Sequence, residues 1–466
     1  MDTDDLLYAG AAEQARLVRE GEVTARALTE VTLARIDRLN PQLNAFRVVL
    51  REQALAAADA ADARRGADDL PLNGVPLAIK DDVDVAGEVT SWGSLAHGGP
   101  RAADDEAVAR LRAAGAVIVG KTSVPELTIW PWTESLAYGA ARNPWSLDHT
   151  PGGSSGGSGA AVAAGLCGVA LGSDGLGSIR IPAAFNGVFG IKPQRGRVPL
   201  GDARADAWNG LAVLGPLART VADAALFLDA IADDLPAGGF SAALSGELPP
   251  LRVALAVNVP PPLVGVRLGA PQRRALDATA QLLRELGHTV VEREIDYPPS
   301  AFLSIVARYL RAIHDDAERM PHPERLERRT KGMARRGGLI SDARLAWARE
   351  AEAGIAERVN RVFDEADVVL FPGPSGPPFR VGELQGRGVT WTLNAAALRV
   401  PWYGVWNAIG QPATSIPAGF DPQGLPLAVQ FAGRPDDEVT LLRLAAEIER
   451  ARPWAQHRPA LAGDAA

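Results

Sequence analysis

The 466-residue chain has a single cysteine, Cys167. One thiol excludes an internal disulfide framework and a cysteine-rich metal site, and fits a reducing compartment. The six histidines, at positions 97, 149, 288, 314, 322 and 457, fall in no catalytic motif, so a histidine base is not expected. No metal or cofactor is expected either. A membrane-spanning run is also missing. The longest weakly polar stretch, 159–171, is rich in Ala and Gly and too short to cross a bilayer as a helix, so it reads as a buried helix. The N-terminus does not join a basic start to an apolar core, because residues 1–5 are acidic and 6–19 read as an amphipathic helix. A cytoplasmic location without a membrane partner is expected. Excess positive charge is absent too: 48 Lys and Arg stand against 56 Asp and Glu, for a net charge of −8, which disfavours nucleic acid as a partner. The Arg-rich stretches 325–329 and 331–336 are interrupted by Glu and Gly and read as a solvated helical face.

What remains is an ordinary globular composition, 47% apolar and 22% charged, on a chain long enough for a large core. Residues 11–39 read as two helices broken near Gly21. Thr24 is the N-cap of the second, and Asn40-Pro41 ends it. An Ala-rich helix follows over 54–65. A short apolar run, 75–79, is followed at once by Lys80, Asp81 and Asp82 and reads as a strand. A helix over 104–114 leads to a β-branched run over 116–119. The same alternation returns with a strand over 251–257, a helix over 271–286, a strand over 288–292, a helix over 342–365 and a strand over 368–371. Helices alternating with short buried strands are the pattern of an α/β fold.

Two glycine-rich segments carry the chemistry. Residues 150–159 read Thr-Pro-Gly-Gly-Ser-Ser-Gly-Gly-Ser-Gly, and residues 171–182 read Leu-Gly-Ser-Asp-Gly-Leu-Gly-Ser-Ile-Arg-Ile-Pro. Such loops let backbone approach a ligand closely, and their N–H groups can form an oxyanion hole. Serine hydroxyls are weak nucleophiles and need a base. Lys80, at the end of a buried strand, is the candidate, since desolvation favours the neutral form of a lysine.

Blocks 74–81, 120–126, 152–158 and 172–180 resemble, in order and spacing, successive blocks of the amidase signature family. Further similar blocks are 138–145, 181–193, 407–420 and 424–435. The resemblance implies one α/β domain over 1–466, with a large mixed β-sheet core flanked by helices. It places the signature core at about 70–200, a variable, mostly helical insertion at about 226–340, and a C-terminal core segment at about 365–455. It puts the nucleophile on Ser178, a cis-serine on Ser154, preceded by a cis peptide, and the base on Lys80. The oxyanion hole falls on the N–H groups of Gly175, Leu176, Gly177 and Ser178. Ser155, Asp174 and Arg180 are implied supports. The activity implied is hydrolysis of carboxamide bonds through an acyl-enzyme.

The chain departs from the family at the nucleophile turn, where Gly175-Leu176-Gly177-Ser178 replaces the usual Thr-Gly-Gly-Ser. Leu176 either takes a positive φ under strain or narrows the acyl side of the pocket. Asp82 stands where Asn is common, and Asn186 where Cys is common. Ten tryptophans are a high count, and Trp130, Trp132, Trp208, Trp402 and Trp406, with Leu176, are expected to line the pocket. Aromatic walls favour hydrophobic or aryl amides, as in an aryl acylamidase, with esters, carbamates or nylon-type oligoamides also open. The expected partner is a small-molecule amide, and the expected state a monomer or homodimer. Three alternatives stay open: a glutamine-hydrolysing amidotransferase subunit, a non-catalytic scaffold, and an α/β-hydrolase esterase. The last is suggested by the Gly-x-Ser-x-Gly pattern around Ser154, but no acid and histidine follow it in recognisable order.

Overall fold

The computed structural model describes residues 2–64, 70–201 and 206–462. The chain begins with helices, among them Ala25–Leu43, whose N-cap Thr24 accepts from the N–H of Ala27 at 3.0 Å. This helix runs three residues past the expected stop at Asn40-Pro41 and ends on Asn44 in the left-handed conformation. Asn40 is instead part of the exit, because its side-chain oxygen accepts from the N–H of Phe46 at 2.8 Å. The Ala-rich helix is Arg51–Ala63, and residue 65 of the expected span lies outside the described residues.

The described residues form thirteen strands, numbered in chain order. They are β1 (Phe46–Val49), β2 (Pro76–Lys80), β3 (Val117–Thr122), β4 (Glu134–Ser135), β5 (Gly139–Ala140), β6 (Val169–Asp174) and β7 (Phe189–Lys192). Next come β8 (Val213–Ala218), β9 (Arg252–Leu255), β10 (Thr289–Glu292), β11 (Val368–Pro372), β12 (Ala413–Phe420) and β13 (Pro426–Ala432). β4 and β5 form a small hairpin; the other eleven make one sheet in the order β1-β3-β2-β6-β8-β7-β12-β13-β11-β9-β10. The sheet is mixed. β3, β2 and β6 are parallel, β11, β9 and β10 are parallel, and the strands between pair antiparallel.

β2 and β6 are buried along their whole length, as central strands covered on both faces should be. Their alternation feeds two cores. Leu77, Ile79, Val169 and Leu171 pack on one face with the helix Val221–Ile231. Ala78 and Ala170 pack on the other, against the helices Ala25–Leu43 and Gly156–Ala163. The stretch expected to be a variable insertion is helical in large part, including Pro299–Arg319 and Arg328–Gly337. It is not separate from the sheet, however, because β9 and β10 complete one end of it. No described helix is long and apolar enough to cross a membrane.

Candidate active site

β2 and β6 run side by side, pairing Ile79 with Leu171, so their carboxyl ends bring Lys80 next to Ser173 and Asp174. This is the end of a parallel sheet where ligands are usually held. Lys80 is fully buried. Its Nζ donates to Ser154 Oγ at 2.7 Å, to Ser173 Oγ at 2.6 Å and to the Ser173 carbonyl at 3.3 Å. Ser173 Oγ in turn donates to Asp82 Oδ2 at 2.6 Å, and that carboxylate oxygen lies 3.5 Å from Lys80 Nζ. An adjacent carboxylate favours the charged ammonium, while burial disfavours it.

Ser154 is 1% exposed and follows a cis Gly153–Ser154 peptide bond. The loop that carries it cannot take larger residues. A Cβ on Gly153 would lie 2.5 Å from the Trp130 carbonyl, and one on Gly156 would lie 2.2 Å from Thr133 Oγ1. Two bonds tie this loop to the turn that carries Ser178 and to the end of β6. The Ser155 N–H donates to the Ser178 carbonyl at 3.2 Å, and Ser155 Oγ donates to the Ser173 carbonyl at 3.2 Å. Asn186, the departure from cysteine, adds a third link, its side-chain amide donating to the carbonyls of Pro151 and Pro182 at 2.7 and 2.8 Å.

The turn itself is shaped by a buried charge cluster. Arg180 and Asp174 are both fully buried and paired at 3.0 Å. Burial opposes ionisation of Asp174, but the Arg180 guanidinium and the Asn407 amide outweigh it and hold the carboxyl at about 2. Arg180 also donates to Asn407 Oδ1 at 2.7 Å, to the Tyr403 carbonyl at 3.2 Å and to Gln430 Oε1 at 3.2 Å. Asp174 accepts from the N–H of Gly177 at 2.6 Å. That bond corrects the expected oxyanion hole: the Gly177 N–H is turned inward. The amides of Gly175, Leu176 and Ser178 donate to no protein acceptor among the described residues. Gly177 takes the positive φ of the turn, 113°, and Leu176 does not, so Leu176 stands there without backbone strain.

Ser178 is half-buried and belongs to the walls of two cavities. One, of about 710 Å³, has a wall of mixed polar and apolar character that includes Ser154, Ser173, Asp82 and Trp92. The other, of about 350 Å³, is apolar and includes Trp130, Leu176, Ile181, Ile305 and Tyr309. Trp208 borders both. Its ring packs over the turn so closely that a Cβ on Gly175 would lie 2.6 Å from it.

Three of the expected pocket tryptophans belong elsewhere. Trp132 is 2% exposed and stacks on Trp130 at 4.8 Å, behind the serine loop. Trp402 and Trp406 sit in the core beside β11, where Trp406 stacks on Phe371 at 5.6 Å. They flank a motif block in sequence, but the helix Gly404–Ala408 turns Trp406 away from the site. The Arg-rich stretch also departs from a fully solvated face: Arg329 lies over the rings of Trp130 and Trp132 and donates to the Leu384 carbonyl at 2.6 Å. Ser173 and Asn407 are functional neighbours that residue reading passed over. The signal for Ser173 was its place beside Asp174 at the end of a buried strand. Among the described residues no cluster of three or more His, Cys, Asp or Glu side chains is placed to hold a metal ion.

The family model described as Amidase matches residues 27–442. A protein of Mycobacterium tuberculosis named "Putative amidase AmiB2" is 54% identical over 99% of this chain and 100% of its own length. Among solved structures, 6-aminohexanoate cyclic dimer hydrolase complexed with substrate superposes with a TM-score of 0.87 at 32% identity, over 98% of this chain and 100% of that one. A bacterial aryl acylamidase of the amidase signature enzymes superposes with a TM-score of 0.85 at 26% identity, over 98% of each chain.

Proposed function

The chain belongs to the amidase signature family and is an amide-hydrolysing enzyme; from that premise we propose that it works through Ser178, Ser154 and Lys80 by way of an acyl-enzyme. The observation that carries the reading is the buried 2.7 Å contact between Lys80 Nζ and Ser154 Oγ, tied to a turn whose serine opens into a cavity. In the neutral form of Lys80 the 2.7 Å contact reverses, with Nζ accepting from Ser154 Oγ, and a proton passes from Ser178 through Ser154 to Lys80 as Ser178 Oγ bonds to the amide carbon. The carbon–nitrogen bond then breaks, the proton returns through Ser154 to the nitrogen, and the amine leaves. Water attacks the Ser178 ester with the same groups as base and frees the acid. The N–H groups of Gly175, Leu176 and Ser178 stabilise the oxyanion, and loss of one such donor costs roughly 100-fold or more in rate. Asp174 and Arg180 hold the turn in shape from behind.

The apolar cavity beside Leu176 and Trp130 supports hydrophobic or aryl amides as substrates. Similarity to an aryl acylamidase and to a hydrolase of a cyclic amide dimer points the same way. The test is amine release from acetanilide, a short aliphatic amide and glutamine in the presence of chelator. Acetanilide turnover should exceed that of glutamine and fall at least about 1000-fold in both Ser178→Ala and Lys80→Ala, since members of one catalytic unit fail together. Turnover surviving Ser178→Ala would assign the nucleophile elsewhere. Preference for glutamine would favour the amidotransferase reading.

A further inference from the structure

Lys80 lies between two serines, and only one of them leads to the nucleophile. Ser154 Oγ is 2.7 Å from Nζ and Ser173 Oγ 2.6 Å, with the Ser173 carbonyl at 3.3 Å. A neutral amine has two N–H groups and one lone pair, and the lone pair takes the proton. It must face Ser154 for the relay to Ser178 to run. Nothing in Lys80 itself makes that choice, because either hydroxyl could donate to it. The choice is made one bond farther out. Ser173 Oγ donates its single hydrogen to Asp82 Oδ2 at 2.6 Å, and an ionised carboxylate can only accept. Ser173 then has only lone pairs to offer. Nζ donates to Ser173 Oγ and to the Ser173 carbonyl, and keeps its own lone pair for Ser154.

We propose that Asp82 is a positioning residue for the base: through Ser173 it aims the Lys80 lone pair at Ser154, and by its charge it sets the pH at which that lone pair becomes available. The inference rests on the Ser178, Ser154 and Lys80 reading above and adds a group behind the base. The second effect follows from distance. Asp82 Oδ2 is 3.5 Å from Nζ, in a pair whose side chains are 2% and 0% exposed, so the attraction is little screened and favours the ammonium. The other charges around Lys80 are matched elsewhere. On β2, Asp81 meets Arg47 and, at 3.0 Å, Lys121 of β3. On β6, Asp174 meets Arg180 at 3.0 Å. In the wall of the larger cavity, Asp84 meets Arg101 at 3.1 Å, Asp315 meets Arg311 at 2.8 Å, Asp316 meets Arg319 at 3.4 Å and Asp206 meets Arg349. His97 is the remaining described titratable group of that wall. The asparagine common at position 82 in the family would offer Ser173 an oxygen without the charge. Asp82 therefore keeps the aim and raises the pH needed to use it.

The test is the pH profile of kcat/KM for acetanilide in the wild type, Asp82→Asn and Asp82→Ala. Asp82→Asn keeps an acceptor for Ser173, so its high-pH plateau should stay within about tenfold of the wild type. The midpoint of its acid limb should lie about 1–3 pH units lower. Asp82→Ala lets the Ser173 hydrogen turn to Nζ and occupy the lone pair, so its plateau should fall at least about tenfold below that of Asp82→Asn. A partial loss of fold would lower a plateau without moving a midpoint. An Asp82→Asn acid limb that coincides with the wild type would overturn the proposal, as would equal plateaus for the two variants. Lys80→Ala separates the two readings. If it is inactive while the Asp82→Asn limb is unmoved, the role of Asp82 alone falls; if it turns over acetanilide as the wild type does, the base reading falls and takes that role with it.

Discussion

Lys80, Asp174, Arg180 and Lys192 all lose water completely within the site region. Asp174 and Arg180 neutralise each other, while Lys80 is held by two hydroxyls and the Asp82 carboxylate. Among the described residues Lys192 donates to the carbonyls of Pro193 and Gly410, at 2.9 and 3.5 Å. Burial, with Arg180 nearby, lowers it from 10.5 to about 7. Below about pH 7 both folded and unfolded chains carry its proton, and the cost of burying the charge is fully present. Between about 7 and 10.5 the unfolded chain binds the proton and the folded chain does not, so stability rises with pH. Lys192→Met has no proton to lose. Its stability advantage over the wild type in guanidinium denaturation should shrink steadily from pH 7 towards pH 10.5. A difference independent of pH would refute the buried neutral lysine. At this scale the glycine-rich loops and the buried strand end were legible as elements, while roles for the serines and Lys80 were suggested only by the resemblance of several blocks in order and spacing. Ser173 and the inward Gly177 N–H were not, since a hydrogen bond from a turn amide depends on side-chain direction and leaves no pattern in sequence.

The helix Gly156–Ala163 shows why the serine loop needs glycine. Every residue in it is buried, and it presses backbone against backbone. A Cβ on Gly157 would stand 2.4 Å from both the Ala45 carbonyl and the Ser123 N–H nitrogen. Neither is a flexible side-chain tip that can swing aside, so Gly157→Ala should lose about 1–3 kcal/mol and lower turnover by shifting the Ser154 loop. Gly354, inside the helix Asp342–Asn360, has open space where a methyl group would be added, with nothing within 4 Å. Gly354→Ala should instead gain up to about 1 kcal/mol by helix propensity. Thermal unfolding of both variants checks the contrast; equal effects would mean that close packing does not set the loop. Elements of this kind were read well where the apolar pattern was strong, as in β2, β3 and the helix Ala270–Glu285. Ends were read less well: the helix Ala25–Leu43 passes Pro41 at the loss of one backbone bond, to the Asp37 carbonyl, and its end is closed by the Asn44 N–H donating to the Asn40 carbonyl at 2.7 Å.

Across the molecule, one sheet of eleven strands gathers segments from both ends of the sequence. Lys80 and Ser178 come from its first half, and Asn407 and Gln430, which steady Arg180, come from its second. The α/β class was legible from alternation alone. The union of β9 and β10 with the main sheet was not, because strand order is decided by long-range pairing that no local pattern encodes. The same holds for the tryptophans: proximity to a motif in sequence did not tell Trp208, which borders both cavities, from Trp406, which fills the core. The central claim is that these distant segments converge to make Ser178 a nucleophile. Its most direct test is intact-mass and peptide mapping of the enzyme quenched in acid during turnover of an activated anilide. The account expects one acyl group, on Ser178, that is absent in Ser178→Ala and does not accumulate in Lys80→Ala. An acyl group on Ser154, or undiminished turnover by Ser178→Ala, would contradict it.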